Sequence, residues 1–265
     1  MNIEKMNMIK ERLKKEYGSV PVFFIKFTKV KEYAQDIIDG NLYFSPIQNF
    51  RNIEKSGEKG QGDEYEVCSI KHFSKPATII LTRYSDSKKL TVPDAVQKTT
   101  IQVESDKDIN IFCMMGYEIN DFDIININEE EIELSFDLNK IALQDMANMF
   151  GKYFVLFLAD DFIKAVYCSF NQKSIEFIFK KCNYVNPQSK KYINDIACGN
   201  MNRFFNKRKE DTFIKQKEYR IVLINPKSEP EKHNIEKFDC IFGINNFDEF
   251  PGMKVTYTVP YIIKS

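Results

Sequence analysis

The chain has only two histidines, His72 and His233, and its six cysteines include no Cys-x-x-Cys pair. This scarcity excludes the usual ligand spacing of a structural zinc site and leaves little material for histidine-based acid or base chemistry. No metal is expected, and any catalysis should lean on carboxylates. Cys68, Cys113, Cys168, Cys182, Cys198 and Cys240 are scattered, which suits reduced, partly buried thiols. Cys113 lies in the apolar run INIFCMM, but no histidine stands near it in sequence to activate it as a nucleophile. Net charge is also missing. Thirty-eight basic and 38 acidic side chains cancel, so no global field recruits nucleic acid or an anionic membrane, and no aromatic-basic motif argues for a nucleic-acid module. No apolar run approaches the roughly 20 residues that span a bilayer, and the N-terminal MNIEKMNMIKERLKKEYG lacks the apolar core of a signal peptide. The expectation is a cytoplasmic chain with no membrane partner; nothing in the sequence bears on its oligomeric state.

What is present is a globular composition. The chain has 265 residues, 43% hydrophobic and 14% aromatic, which is enough to bury a substantial core. Residues 4–17 carry Met8, Ile9 and Leu13 among charges, as in a short amphipathic helix ending at Gly18. Val22 to Thr28 reads as a strand, the next segment as a helix closed by Asp39-Gly40, and NLYFS as a second strand. Residues 45–62 are polar with three glycines and read as a mobile loop, in which Arg51 and Lys55 could meet a phosphate. Between 65 and 115 four strand-like segments are separated by turn signals such as Lys-Pro and Val-Pro-Asp. Further on, IALQDMANMFG and DDFIKAVYCSF read as helices, and KYFVLFLA, IEFIFKKCNYVN, FDCIFGI and KVTYTVPYII as strands. With no repeat and no linker, the reading is a single domain over 1–265, with 1–18 as a helical appendage. Its fold class is α+β, mixed and mainly antiparallel.

The stretch TFIKQKEYRIVLI, Thr212 to Ile224, passes from charged to apolar and reads as a strand entering a sheet from its rim. Alternation puts Gln216, Glu218 and Arg220 on one side and Lys217, Tyr219 and Ile221 on the other. The plain reading is a solvated face with a Glu218–Arg220 pair. The functional reading is a row of amide, carboxylate and guanidinium facing a ligand.

FFIKFTKVKEYAQDIIDGNLYFSPIQNFRN, GDEYE, IFCMM, FGKYFVLFLADDFIKAV, NYV and FIKQKEYRIVL run in the order found in a group of uncharacterised bacterial and phage proteins. The chain resembles that group over roughly residues 22 to 245, and the group resembles a distant branch of the ADP-ribosyltransferase fold. This resemblance implies a split antiparallel sheet with flanking helices and a cleft that holds NAD. It places Gln216 and Glu218 on the catalytic Gln-x-Glu element and Lys26 where a first-strand Arg or His is usual. Lys is a departure, because a point charge lacks the planar fork of Arg. The small hydroxyl residues of the central strand have no counterpart, since IFCMM carries none.

In such chemistry Glu218 would bind the ribose and face the developing oxocarbenium charge, while Gln216 would orient the nucleophile. Around them Tyr43 could stack on a nicotinamide ring or lie in the core, and Arg220 could bind phosphate or pair with Glu218. Asp63 and Glu66 could flank the ligand or be solvated loop acids. Two function classes therefore stand side by side. One is an NAD-dependent ADP-ribosyltransferase acting on a protein, RNA or small-molecule acceptor, as an effector or toxin in conflict between bacteria and phages. The other is an inactive relative that binds a nucleotide or a protein as a sensor or scaffold. A cleft uniting Lys26, Gln216 and Glu218 would favour the first.

Overall fold

A computed structural model of the chain describes residues 3–57, 62–82, 87–127, 131–138, 140–250 and 252–260. Its fold is α+β, with mainly antiparallel sheets. The chain opens with helix α1 (Ile3–Tyr17), strand β1 (Pro21–Thr28), helix α2 (Lys31–Ile38), strand β2 (Asn41–Pro46) and helix α3 (Ile47–Lys55). Ile9 and Leu13 of α1 are buried in the same apolar cluster as Phe23 and Ile25 of β1, so the N-terminal helix is packed against the core. The α2–β2 turn depends on Gly40. It has φ +79°, and a Cβ there would lie 2.5 Å from the Ile235 carbonyl oxygen, so both conformation and space call for glycine.

Residues 47–55 of the polar stretch 45–62, expected as a mobile loop, form the helix α3. Ile47 and Arg51 are buried at i and i+4 with Phe50 beside them, an inward face that the surrounding Gln, Asn, Glu and Lys conceal in the sequence. Residues 58–61 of that stretch lie outside the described ones. Strands β3 (Ser69–Thr82) and β4 (Lys89–Ile101) form one long hairpin where two shorter strands were expected on its first side. Pro76 does not end β3, because the register shifts between His72 and Ala77 and a proline is tolerated at such an irregularity.

Next come β5 (Asn110–Glu118), β6 (Asp123–Ile127), β7 (Glu131–Leu138), α4 (Lys140–Phe150), β8 (Tyr153–Leu158) and α5 (Ala159–Gln172). The C-terminal part holds β9 (Phe177–Lys181), β10 (Asn183–Val185), α6 (Lys190–Ala197), β11 (Asn206–Arg208) and the single turn α7 (Asp211–Ile214). It ends with β12 (Glu218–Leu223), β13 (Glu231–Asn234), β14 (Cys240–Asn246) and β15 (Met253–Pro260). The strand read over Thr212 to Ile224 is thus shorter than expected. Lys217 takes φ +42° and the Gln216 N–H bonds the Phe213 carbonyl at 3.0 Å, so the first half of TFIKQKEYRIVLI is a helical turn.

The main sheet runs β13-β2-β5-β1-β8-β14, and β12, followed by β9, pairs the opposite edge of β5. On one edge β5 pairs β1 as far as Ile25–Met115, and β2 only from Ser45–Ile111. The two strands therefore diverge along a shared neighbour, and the sheet splits opposite residues 112–114. One apolar cluster packs Phe23, Phe154 and Leu156 against α1, β7 and α4; a second packs Phe24, Val155 and Phe157 against α2 and α5. Both β1 and β12 belong to this one sheet, as expected from their apolar density. Smaller sheets pair β6, β7 and β15, and β10 with β11.

Candidate functional site

Register determines which side chains reach the split. Glu218 stands opposite Met115 and Arg220 opposite Cys113, so these four project to one face, while Tyr219 and Ile221 join the Phe24 and Phe112 cluster on the other. The alternation read from the sequence holds for residues 218 to 221. Gln216 lies before the strand yet reaches the same place, because the turn at Lys217 folds it back. The Lys207 ammonium on β11 receives both: it donates to Gln216 Oε1 at 2.9 Å and pairs with Glu218 Oε2.

The face is buried, not wet. Glu218 is 4% exposed and Arg220 1%. Arg220 Nε donates to Glu218 Oε1 at 2.6 Å, and its Nη1 and Nη2 donate to Glu66 Oε1 and Oε2 at 2.7 and 3.1 Å. Nη1 also bonds the Phe204 carbonyl at 2.7 Å. Asp63 lies beside this network, 2.9 Å from Arg208 Nε, and both Asp63 and Glu66 are buried. The predicted loop acids are therefore interior ion-pair partners. Arg51, predicted as a loop cation, is buried on α3 and bonds the Glu66 carbonyl at 2.9 Å.

The charges follow from these contacts. Burial alone would raise the Glu218 carboxyl, but Arg220 and Lys207 override it and hold it well below the usual carboxylate range. Burial lowers the Lys207 ammonium and Glu218 more than compensates, so its pKa ends above the ordinary value. Asp63 moves the other way. Burial, with the nearby Glu66 charge, lifts it to about 7 against the pull of Arg208.

A cavity of about 160 Å³ opens at the split. Phe27, Phe50, Ile53, Met115, Met146 and Phe150 form much of its apolar wall, and Lys26, Lys207, Gln216 and Glu218 supply the charged and amide groups. A cavity of about 150 Å³ accommodates benzene, and drug-sized ligands need about 300 Å³ or more, so this one is sized for a single ring. The half-buried Lys26 reaches into the split, where its Nζ donates to the Cys113 carbonyl at 2.5 Å and lies 5.0 Å from the Phe112 ring centre. That carbonyl belongs to the stretch of β5 that neither β1 nor β2 reaches. Burial pushes the Lys26 ammonium down, against the opposing effects of Cys113 and Glu218. Cys113 also lines the cavity, but burial pushes its thiol up to about 12, so the thiolate is scarce.

Lys26, Gln216 and Glu218 are thus brought together. Tyr43 is not: it is 58% exposed on β2 and does not line the cavity. Nor do Arg220, Asp63 and Glu66, which lie behind the wall and support it. Lys207 and Arg208 were missed, because NKRKED reads as a surface charge run; the one available signal is the Phe204-Phe205 pair before it, which anchors β11 in the core. Among the described residues no group of His, Cys, Asp or Glu has the makings of a metal site. No described helix is long and apolar enough to cross a membrane. Comparison with protein-family models, curated proteins and solved structures gives no match.

Proposed function

We propose that the chain is an ADP-ribosyltransferase-like protein whose cavity takes the nicotinamide end of NAD. The observation that carries this reading is the convergence of Lys26 on β1 with Glu218 at the start of β12 and Gln216 just before it on one ring-sized cavity at a split in an antiparallel sheet. Leaving of nicotinamide puts positive charge on the ribose, and a carboxylate held ionised in a largely water-free wall opposes that charge. Glu218 has this character, and Gln216 beside it orients an acceptor by hydrogen bonds without titrating. Lys207 holds both groups at once and is the positioning residue of the pair.

A second reading is supported by one specific contact pattern. Both oxygens of Glu218 are already engaged, one by Arg220 and the other by Lys207, so the carboxylate faces two cations before any substrate arrives. A protein that binds the nucleotide without turning it over would look the same. Incubation with labelled NAD and a cell lysate, alongside calorimetric titration with NAD, separates the two. Label transfer that disappears in Glu218→Gln supports the enzyme, binding without transfer supports the module, and absence of both overturns the NAD assignment.

A further inference from the structure

Lys26 differs from the other cations around the cavity in what it touches. Lys207 has Glu218, Arg220 has Glu218 and Glu66, and Arg208 has Asp63. The hydrogen bond of Lys26 goes instead to a neutral carbonyl, and among the described residues no carboxylate forms an ion pair with it. Glu218 is near enough to influence it but is committed to Arg220 and Lys207. With Lys26 protonated, the wall formed by Lys26, Lys207 and Glu218 carries one positive charge in excess, and it borders a space the size of one ring with aromatic and methionine sides.

We propose that this cavity is a binding site for small aromatic carboxylates, the ring lying among Phe27, Phe50, Met115 and Phe150 and the carboxylate pairing with Lys26. A charged partner should outbind a neutral one of equal shape, because an ammonium–carboxylate hydrogen bond out of water is about twice as strong as a neutral one. Burial pushes Lys26 toward its neutral form, and an arriving anion opposes that shift by favouring the ammonium in the complex. This site does not require that NAD be turned over. Where NAD does enter, the aromatic acids would compete with it for the ring space, giving the protein a class of small inhibitors.

Calorimetric titration of the full chain with benzoate, nicotinate, benzamide and nicotinamide tests the proposal. Both acids should bind at least about tenfold tighter than their amides, the ratio expected when a charged hydrogen bond replaces a neutral one. Lys26→Met should abolish that preference, and Lys26→Arg should retain part of it. Ile53→Trp, which fills the cavity from α3 and leaves every charge in place, should abolish binding of all four. Melting curves establish that each variant is folded. Amides that bind as tightly as acids, or acids that bind Lys26→Met and Ile53→Trp unchanged, would overturn the assignment. Loss of NAD turnover with the acid preference intact would count against the proposed activity alone.

Discussion

Arg220 and Glu66, 154 residues apart, form a two-point ion pair in the interior, Nη1 to Oε1 at 2.7 Å and Nη2 to Oε2 at 3.1 Å. The pair ties the turn before β3 to the middle of β12, and both side chains are at most 2% exposed. Deleting one partner strands the other. Glu66→Ala should therefore lower stability by about 3–5 kcal/mol, the range for an uncompensated buried charge. Urea unfolding measures it, and a change below about 1 kcal/mol would mean that the pair is solvated in solution.

Glu218→Gln should act on both stability and rate. The amide keeps the shape but loses the charge and turns its NH2 toward either Lys207 or Arg220, so a loss of a few kcal/mol is expected, more than for an exposed pair. Where NAD is turned over, the rate should fall at least about a hundredfold at a temperature at which both proteins are folded. Full activity in the variant would remove Glu218 from the chemistry.

Asp63 should make stability depend on pH. Its folded pKa is raised from 3.8 to about 7 by burial and by Glu66, with Arg208, Lys207 and the Tyr65 N–H opposing. The folded chain therefore holds a proton that the unfolded chain releases. The resulting stabilisation is complete below pH about 4 and is lost as pH rises through about 7. Asp63→Asn should flatten the unfolding free energy between those limits, and an unchanged pH profile would refute the shift.

Gly116 admits no side chain. A Cβ there would lie 2.5 Å from two carbon atoms of the Tyr219 ring, and that ring is held from its far end by a 2.5 Å hydrogen bond from its hydroxyl to Glu118 Oε1. Gly116→Ala should cost about 1–3 kcal/mol through forced repacking. Thermal melting would show it, and Tyr219→Leu should relieve most of the penalty.

Much of this architecture was legible because periodicity and burial coincide. The apolar density of FFIKF and YFVLFL gives β1 and β8, and Asp39-Gly40 and Gly151 mark helix ends. The alternation of Glu218 and Arg220 against Tyr219 and Ile221 is visible as well. Buried charge was illegible, because a Lys207 or Arg51 in the interior has the same neighbours in sequence as one in solvent; only the long-range partners Glu218 and Glu66 distinguish them. The same ambiguity hid α3, whose inward face includes a buried arginine. Gln216 was placed beside Glu218 through the wrong geometry. Its approach to Glu218 comes from the turn at Lys217 and the shared Lys207 ammonium, which alternation along a strand does not describe.

Met115 and Met146 give the apolar side of the cavity an unusual tolerance. Their thioethers are unbranched and change rotamer cheaply, so the space they enclose is set partly by whatever occupies it. The charged wall is fixed by ion pairs and a turn, whereas the opposite side is plastic. Discrimination should therefore fall unevenly across a ligand: a methyl or halogen added to the ring would be absorbed with little change in affinity, while moving the carboxylate by one carbon would not.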